Sequence, residues 1–253
     1  QMILSLLERP FTTSRSGLRS MLATAGPCSI KRAPSSPIKS LTDMGQGLAA
    51  ESGASPTDIA AYYDAWAAND YDSDVTSWGY EAPERVAAMV TRRLQEQPGQ
   101  VLDAGCGTGR VGAALQALGV KDVIGGDFTP ASVEAARRRN VYQSVDHLDL
   151  NERLVFNDNQ FAAVVSVGVF SYLTDTLATI TELLRITEPA GVVIFTQRTD
   201  LWAERECDAL VSSLVATGVC TVKISDPSPY LPGHDEFGTD IGIIYITLTV
   251  KKP

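Results

Sequence analysis

The chain has 253 residues, 44% of them hydrophobic, and a formal net charge of −9 at neutral pH. That length and apolar content suffice for one packed domain of good size with an appendage, and they exclude global disorder. The charge is uneven: residues 1–44 carry a basic excess and the remainder is strongly acidic, which argues against the phosphate backbone of a nucleic acid as the main partner.

Gln1 is followed by Met2, with further methionines at Met21 and Met44. Residues 1–54 read as a disordered or targeting segment. Residues 2–42 are rich in Ser, Arg, Lys and Pro and poor in acids, as transit peptides are; an unstructured tail, or a true start at Met44, stays open beside that reading. The expected location is cytoplasmic, or a mitochondrion or plastid if the segment is a transit peptide. Cys28, Cys106, Cys207 and Cys220 form no C-x-x-C pair and have no His at metal spacing. Reduced, intracellular thiols and no metal site are therefore expected. No apolar run approaches the roughly 20 residues of a membrane span.

An N-terminal helical cap is predicted over residues 55–98. Ser55 is a good N-cap, Pro56 suits the first helical position, and Asp58 suits the first turn. A second helix is predicted over 83–94, where Val86, Met89, Val90 and Leu94 recur at helical spacing; Pro98-Gly99 ends it. Over 99–253 the pattern alternates. Strand-like runs fall at 100–104, 122–127, 142–148, 161–168, 191–197, 219–224 and 241–250, with helix-like runs at 109–118, 130–139, 173–187 and 201–216. Apolar strands alternating with helices define an α/β fold with a mainly parallel sheet covered on both faces. No helix separates the last two strands, so they are expected to pair antiparallel at one edge.

The first strand ends in "VLDAGCGTGRVG", Val101 to Gly112. Gly107, Gly109 and Gly112 fit the dinucleotide pattern G-x-G-x-x-G. The register is wrong for it, because Gly107 arrives only after Asp103-Ala104-Gly105-Cys106. The chemistry is also wrong: Asp103 at the strand end would repel a pyrophosphate and favours a ligand carrying an ammonium or sulfonium group. Asp127 ends the second strand, 18 residues beyond Gly109, where an acid commonly takes a ribose hydroxyl pair. Phe128 is placed to flank a ring or to pack in the core. Asp149, after the third strand, is placed to accept from an exocyclic amine, or is a surface acid.

The segments "VLDAGCGTG", "GGDFTPASVEAARRR", "DL" and "FAAVVSVGVFSYL" resemble the class I S-adenosylmethionine-dependent methyltransferases, over about residues 56–253. "YYDAWAANDYDSDV", "YEAPERVA", "NVYQSV" and "LLRITEPAGVVIFTQR" are similar to the methyltransferase-like proteins named after the Williams–Beuren syndrome region. The resemblance implies a Rossmann-like, doubly wound, mostly parallel seven-stranded sheet with an antiparallel last strand, and S-adenosyl-L-methionine as cofactor. It implies that Asp103 faces the methionine ammonium, directly or through water. Gly105, Cys106 and Gly107, in the loop that runs on to Gly109, would bring their backbone close to the methionine part. Asp127 would bind the ribose hydroxyls, and Asp149 and Leu150 the adenine edge. Val167 and Gly168 would lie under the cofactor, and Tyr71 would close over it. Two departures stand out: Pro189-Ala190-Gly191 replaces a two-glycine turn, and "WAANDYD" carries an extra residue beside Tyr71.

Methyl transfer from a sulfonium is an in-line displacement in which the protein supplies proximity and alignment, and a base is needed only if the nucleophile must lose a proton. Of the two histidines, His147 reads as structural and His234 is the weak candidate for a catalytic base or substrate ligand. The signature Asn/Asp-Pro-Pro-Tyr/Phe is absent after the fourth strand, which disfavours DNA-base and glutamine-amide acceptors. Phe170, Ser171, Tyr172, Tyr62, Tyr63, Trp66 and Trp78 are candidates for an acceptor pocket or for plain packing. A small-molecule acceptor is the leading expectation. Protein methylation and a non-catalytic S-adenosylmethionine-binding partner are the alternatives, and a nicotinamide dehydrogenase is more distant.

Overall fold

The computed structural model describes residues 65–66, 70–235, 237–238 and 240–251. The helix predicted from Ser55, the candidates Tyr62 and Tyr63, and Cys28 lie outside the described residues. Within them the chain runs α1 (Tyr71–Ser77), α2 (Ala82–Glu96), β1 (Val101–Ala104), α3 (Arg110–Ala117), β2 (Val123–Asp127), α4 (Pro130–Arg139), β3 (Ser144–His147) and β4 (Phe161–Ser166). It continues through α5 (Thr176–Ile186), β5 (Thr187–Arg198), α6 (Thr199–Glu204), α7 (Cys207–Thr217), β6 (Cys220–Ile224), β7 (Ser228–Pro229) and β8 (Gly242–Val250).

The strands form one sheet in the order β3-β2-β1-β4-β5-β8-β6, with the two-residue β7 on β8. β1 to β5 are parallel, and β8 runs antiparallel between β5 and β6. The last two long strands pair as predicted. The final one, however, lies inside the sheet, and the short β7 adds an eighth strand to the seven read from the pattern.

The strand period of two divides the core. Val101, Ala163, Val165 and Ile194 join Val86 and Val90 of α2 and Leu115 of α3. Their neighbours Leu102, Val164, Val193 and Phe195 join Ile180, Leu183 and Ile186 of α5 and Leu214 of α7. Alternate residues of one strand thus serve opposite faces, and β4, at the sheet centre, is buried along its whole length. α2, assigned from sequence to the N-terminal cap, packs within this core and forms one layer of the sheet domain.

Local signals explain the helix ends. Thr129 caps α4, accepting from the Ser132 amide at 3.3 Å, with Pro130 in the first turn and Arg137, Arg138 and Arg139 in the last, where positive charge complements the helix dipole. Asp175 caps α5, accepting from the Ala178 amide at 2.9 Å. β5 starts earlier than its apolar run, with Thr187 opposite Phe161, and its register shifts before Val192, where Ala190 takes a left-handed φ of 66°, the conformation a glycine adopts freely. Arg93 of α2 donates through Nε to the Ala190 carbonyl at 3.1 Å and again through its terminal nitrogen, which holds this turn. The helix predicted over 201–216 is two helices, broken where Glu206 also takes a positive φ.

Candidate active site

A cleft opens at the carboxyl ends of β1, β2 and β4, where the strand order turns back on itself. Ligands of doubly wound sheets bind at such a switch point. Its wall includes Gly105, Cys106, Gly107, Asp127, Phe128, Asp149, Leu150, Val167, Gly168 and Tyr71, all expected from sequence. Gly109 and Asp103 are not among the lining residues.

The loop after β1 is bent by positive φ at Gly105, Gly107 and Gly109. At Gly107 a Cβ would meet nothing within 4 Å, so its backbone borders open space. Gly105 is crowded instead: its Cβ would come within 2.4 Å of Val169. Gly109 is the N-cap of α3, and a Cβ there would meet Arg139, Tyr142 and Ala136. Gly112, the last glycine of the apparent dinucleotide fingerprint, makes room for Tyr142, whose ring a Cβ there would strike at 2.3 Å. The dinucleotide match is thus a packing coincidence in this fold.

Asp127 ends β2 at the centre of the cleft. Its Oδ2 accepts from the Gly107 amide at 2.8 Å, and its Oδ1 from the Thr129 amide and hydroxyl at 3.0 and 3.2 Å. Burial raises its pKa, and those donors pull the other way. Phe128 is 40% exposed and sits with Leu148 and Leu150 along the wall, an apolar slot beside two acids. Asp149 accepts through Oδ1 from the Asn151 amide and side chain at 2.9 and 3.0 Å. Asn151 itself lines the cleft and was not picked out from sequence.

Asp103 departs from expectation. It is fully buried and is not among the residues that line the cleft. The Tyr142 hydroxyl donates to its Oδ2 at 2.7 Å. Burial pushes its pKa up to about 7, with the Tyr142 hydrogen bond opposing. Tyr142 lay inside the family-like "NVYQSV", yet no spacing rule marked it.

The opposite wall is aromatic. Tyr71, Tyr80 and Tyr172 line it, and burial holds the Tyr71 and Tyr80 phenols well above their ordinary pKa. Of the other acceptor candidates, Phe170 stacks on Phe195 at 4.1 Å in the core, and Ser171 donates to Gln197 at 3.1 Å. Trp66 packs edge-on to Tyr71 at 4.6 Å and donates to Asp74 at 2.9 Å. Trp78 meets the ring of His234 at 4.6 Å. None of these four lines the cleft. Neither does His234, the candidate base: it stacks on Phe237 and holds the connection between β7 and β8 against the α1–α2 corner. His147 is exposed, beside Phe128.

α1 is tied to the glycine loop by polar contacts. Asp72 accepts from the Thr108 hydroxyl at 2.7 Å and pairs with Arg139, whose Nε donates to the Thr108 carbonyl. Arg110 donates to Thr76 at 2.8 Å. These contacts fix Tyr71 at the mouth of the cleft. No group of three or more potential metal ligands occurs among the described residues.

The residues present fit an adenosine-bearing sulfonium cofactor: a loop backbone without a side chain at Gly107, an acid ending β2, and an apolar slot followed by a second acid. Strand order and cleft are those expected of a class I S-adenosylmethionine-dependent methyltransferase. Residues 102–195 match the family model described as "Methyltransferase domain". The chain is 37% identical over 142 residues to human methyltransferase-like protein 27, covering 55% of this chain and 57% of that protein. It is 34% identical over 155 residues to the demethylmenaquinone methyltransferase of Beutenbergia cavernae, covering 60% and 62%. The chain thus matches about three fifths of the length of these relatives. A putative S-adenosylmethionine-dependent methyltransferase from Methanococcus maripaludis shares the fold, with a TM-score of 0.55 at 17% identity over 75% of this chain and 94% of that one. A geranyl diphosphate methyltransferase in complex with its cofactor does so with a TM-score of 0.52 at 15% identity, over 66% and 85%.

Proposed function

We propose that this chain transfers the methyl group of S-adenosylmethionine to a small-molecule acceptor. One observation carries the reading. The cleft that joins the glycine loop, Asp127 and Asp149 continues to a wall of Tyr71, Tyr80 and Tyr172, which gives an acceptor a place beside the cofactor. Relatives named for demethylmenaquinone and for the malonyl group on acyl-carrier protein support a small acceptor group.

When bound, the cofactor supplies an electrophilic methyl on sulfur. Asp127 is placed to take the ribose hydroxyls, provided it releases the Gly107 amide on one oxygen. Phe128, Leu148 and Leu150 form the slot for the adenine, and Asp149 stands at its edge. Tyr71, latched by Asp72 and Arg110, covers the mouth and excludes water, which raises the effective concentration of the aligned reactants. The buried phenols of Tyr71 and Tyr80 stay protonated at neutral pH, so they donate hydrogen bonds to an acceptor and do not act as bases. The free buried thiols Cys106, Cys207 and Cys220 support a reducing compartment.

The test is incubation of the chain with methyl-tritiated cofactor in a cell extract, followed by separation of small molecules from protein. Label in the small-molecule fraction is the expected result. Label in protein alone would replace the acceptor class, and binding without any transfer would leave a cofactor-binding partner protein.

A further inference from the structure

Tyr142 is a half-buried polar side chain to which methyl transfer as derived above gives no part. It sits between α4 and β3, and glycines of three other segments vacate the space it occupies. A Cβ at Gly112 would stand 2.3 Å from its Cζ, one at Gly125 3.2 Å from its Cδ1, and one at Gly109 3.2 Å from its Cε2. Its hydroxyl accepts from the Gly112 amide at 3.1 Å and donates to Asp103 Oδ2 at 2.7 Å. A phenol has one proton, so the amide on its lone pair turns that proton toward the carboxylate. Packing alone would require the ring and not the hydroxyl.

Asp103 is fully buried, and its Oδ1 meets no hydrogen-bond partner. An ionised carboxylate in such a place is costly unless something positive answers it. The groups that face it are Tyr142, Asp127 from β2, Cys106 from the glycine loop and the Gly112 amide from α3. The two acids repel, and burial opposes ionisation; the Tyr142 hydroxyl and the Gly112 amide favour it. The loop that follows this carboxylate lines the cleft through Gly105, Cys106 and Gly107 and is the loop expected to carry the cofactor's amino-acid end.

We infer that Tyr142 is the positioning residue for that charged end: its hydroxyl orients the Asp103 carboxylate beside the glycine loop, so that the cofactor's ammonium meets a negative charge there. The inference rests on the cofactor reading given under Proposed function.

The experiment is titration calorimetry of the full chain and its Tyr142→Phe variant across a range of pH with two ligands. S-adenosylhomocysteine carries the ammonium; methylthioadenosine keeps the nucleoside and sulfur but lacks the amino-acid end. Removing a hydrogen bond to a charged group is expected to weaken S-adenosylhomocysteine about tenfold at neutral pH. It should leave methylthioadenosine unchanged. Without its donor Asp103 ionises at higher pH, so the deficit should shrink as pH rises above about 8. Gly112→Ala, which pushes the ring off Asp103, should reproduce this selectivity and serves if Tyr142→Phe does not fold. Equal loss for both ligands, a loss independent of pH, or no loss overturns the inference while wild-type binding keeps the cofactor reading. Failure of the wild type to bind either ligand overturns the cofactor reading itself.

Discussion

Asp103→Asn preserves the shape of the side chain and an oxygen for the Tyr142 hydroxyl to reach, but removes the charge. The wild-type carboxyl is fully buried and titrates at about 7, against about 4 in an unfolded chain. Over that window the folded protein holds a proton that the unfolded chain has released. The stability this group contributes is therefore complete below about pH 4 and is lost as pH rises through about 7. Between about pH 5.5 and pH 8 the linkage spans about 1.5 pH units, worth about 2 kcal/mol at ~1.4 kcal/mol per unit. The cost of burying the Asn amide does not change with pH, and the repulsion between Asp103 and Asp127, lost in the variant, acts in the same direction. The stability of wild type minus that of the variant should thus fall by about 2 kcal/mol across this range, or roughly 4–8 °C in Tm for a domain of this size. Urea unfolding followed by circular dichroism at spaced pH values measures the difference directly. Parallel curves, with a difference constant to within ~0.5 kcal/mol, would refute the reasoning that Asp103 is a buried group titrating near neutrality.

Gly107→Ala should cost about 1 kcal/mol of stability through its left-handed φ, while its new methyl stands in open cleft and weakens S-adenosylhomocysteine binding by at least about tenfold; calorimetry and thermal unfolding read the two effects separately. Asp127→Ala removes the acceptor of the Gly107 and Thr129 amides as well as the ribose contact, so affinity should fall about a hundredfold with about 1–3 kcal/mol of stability; full retention of binding would remove Asp127 from the site. Asp72→Ala should unlatch α1 from Thr108 and Arg139. Because that pair is partly exposed, the stability loss should stay below about 1 kcal/mol, while α1 becomes more sensitive to limited proteolysis and the KM for the cofactor rises severalfold; an unchanged cleavage pattern would count against the latch.

Much of this molecule is legible in its sequence because its dominant signals are local. Val86, Met89, Val90 and Leu94 announce a helix, and "FAAVVS" announces a strand buried on both faces. "VLDAGCGTG" announces the glycine loop, whose Gly105, Cys106 and Gly107 line the cleft. What the sequence conceals is set by distance along the chain. Tyr142 reaches Asp103 across 39 positions, and Arg93 supports Ala190 across 97, so neither partner predicts the other. The insertion of β8 between β5 and β6 is invisible because both edges of an antiparallel strand read alike. His234 drew attention as one of only two histidines, but rarity says nothing about direction, and the fold turns it toward Trp78 and Phe237.

The place of β8 also bears on how the chain is made. Every residue lining the cleft precedes Thr174, so the site is fully translated long before the sheet is whole. Until residues 242–250 have left the ribosome, the edge of β5 carries its apolar run of Val192, Val193, Ile194 and Phe195 with no strand beside it. An unpaired apolar edge of that kind is a template for pairing with other chains. Solubility during biosynthesis thus depends on a segment that the chemistry never touches, and a transcript cut short before Gly242 would encode an intact cleft on an aggregating protein.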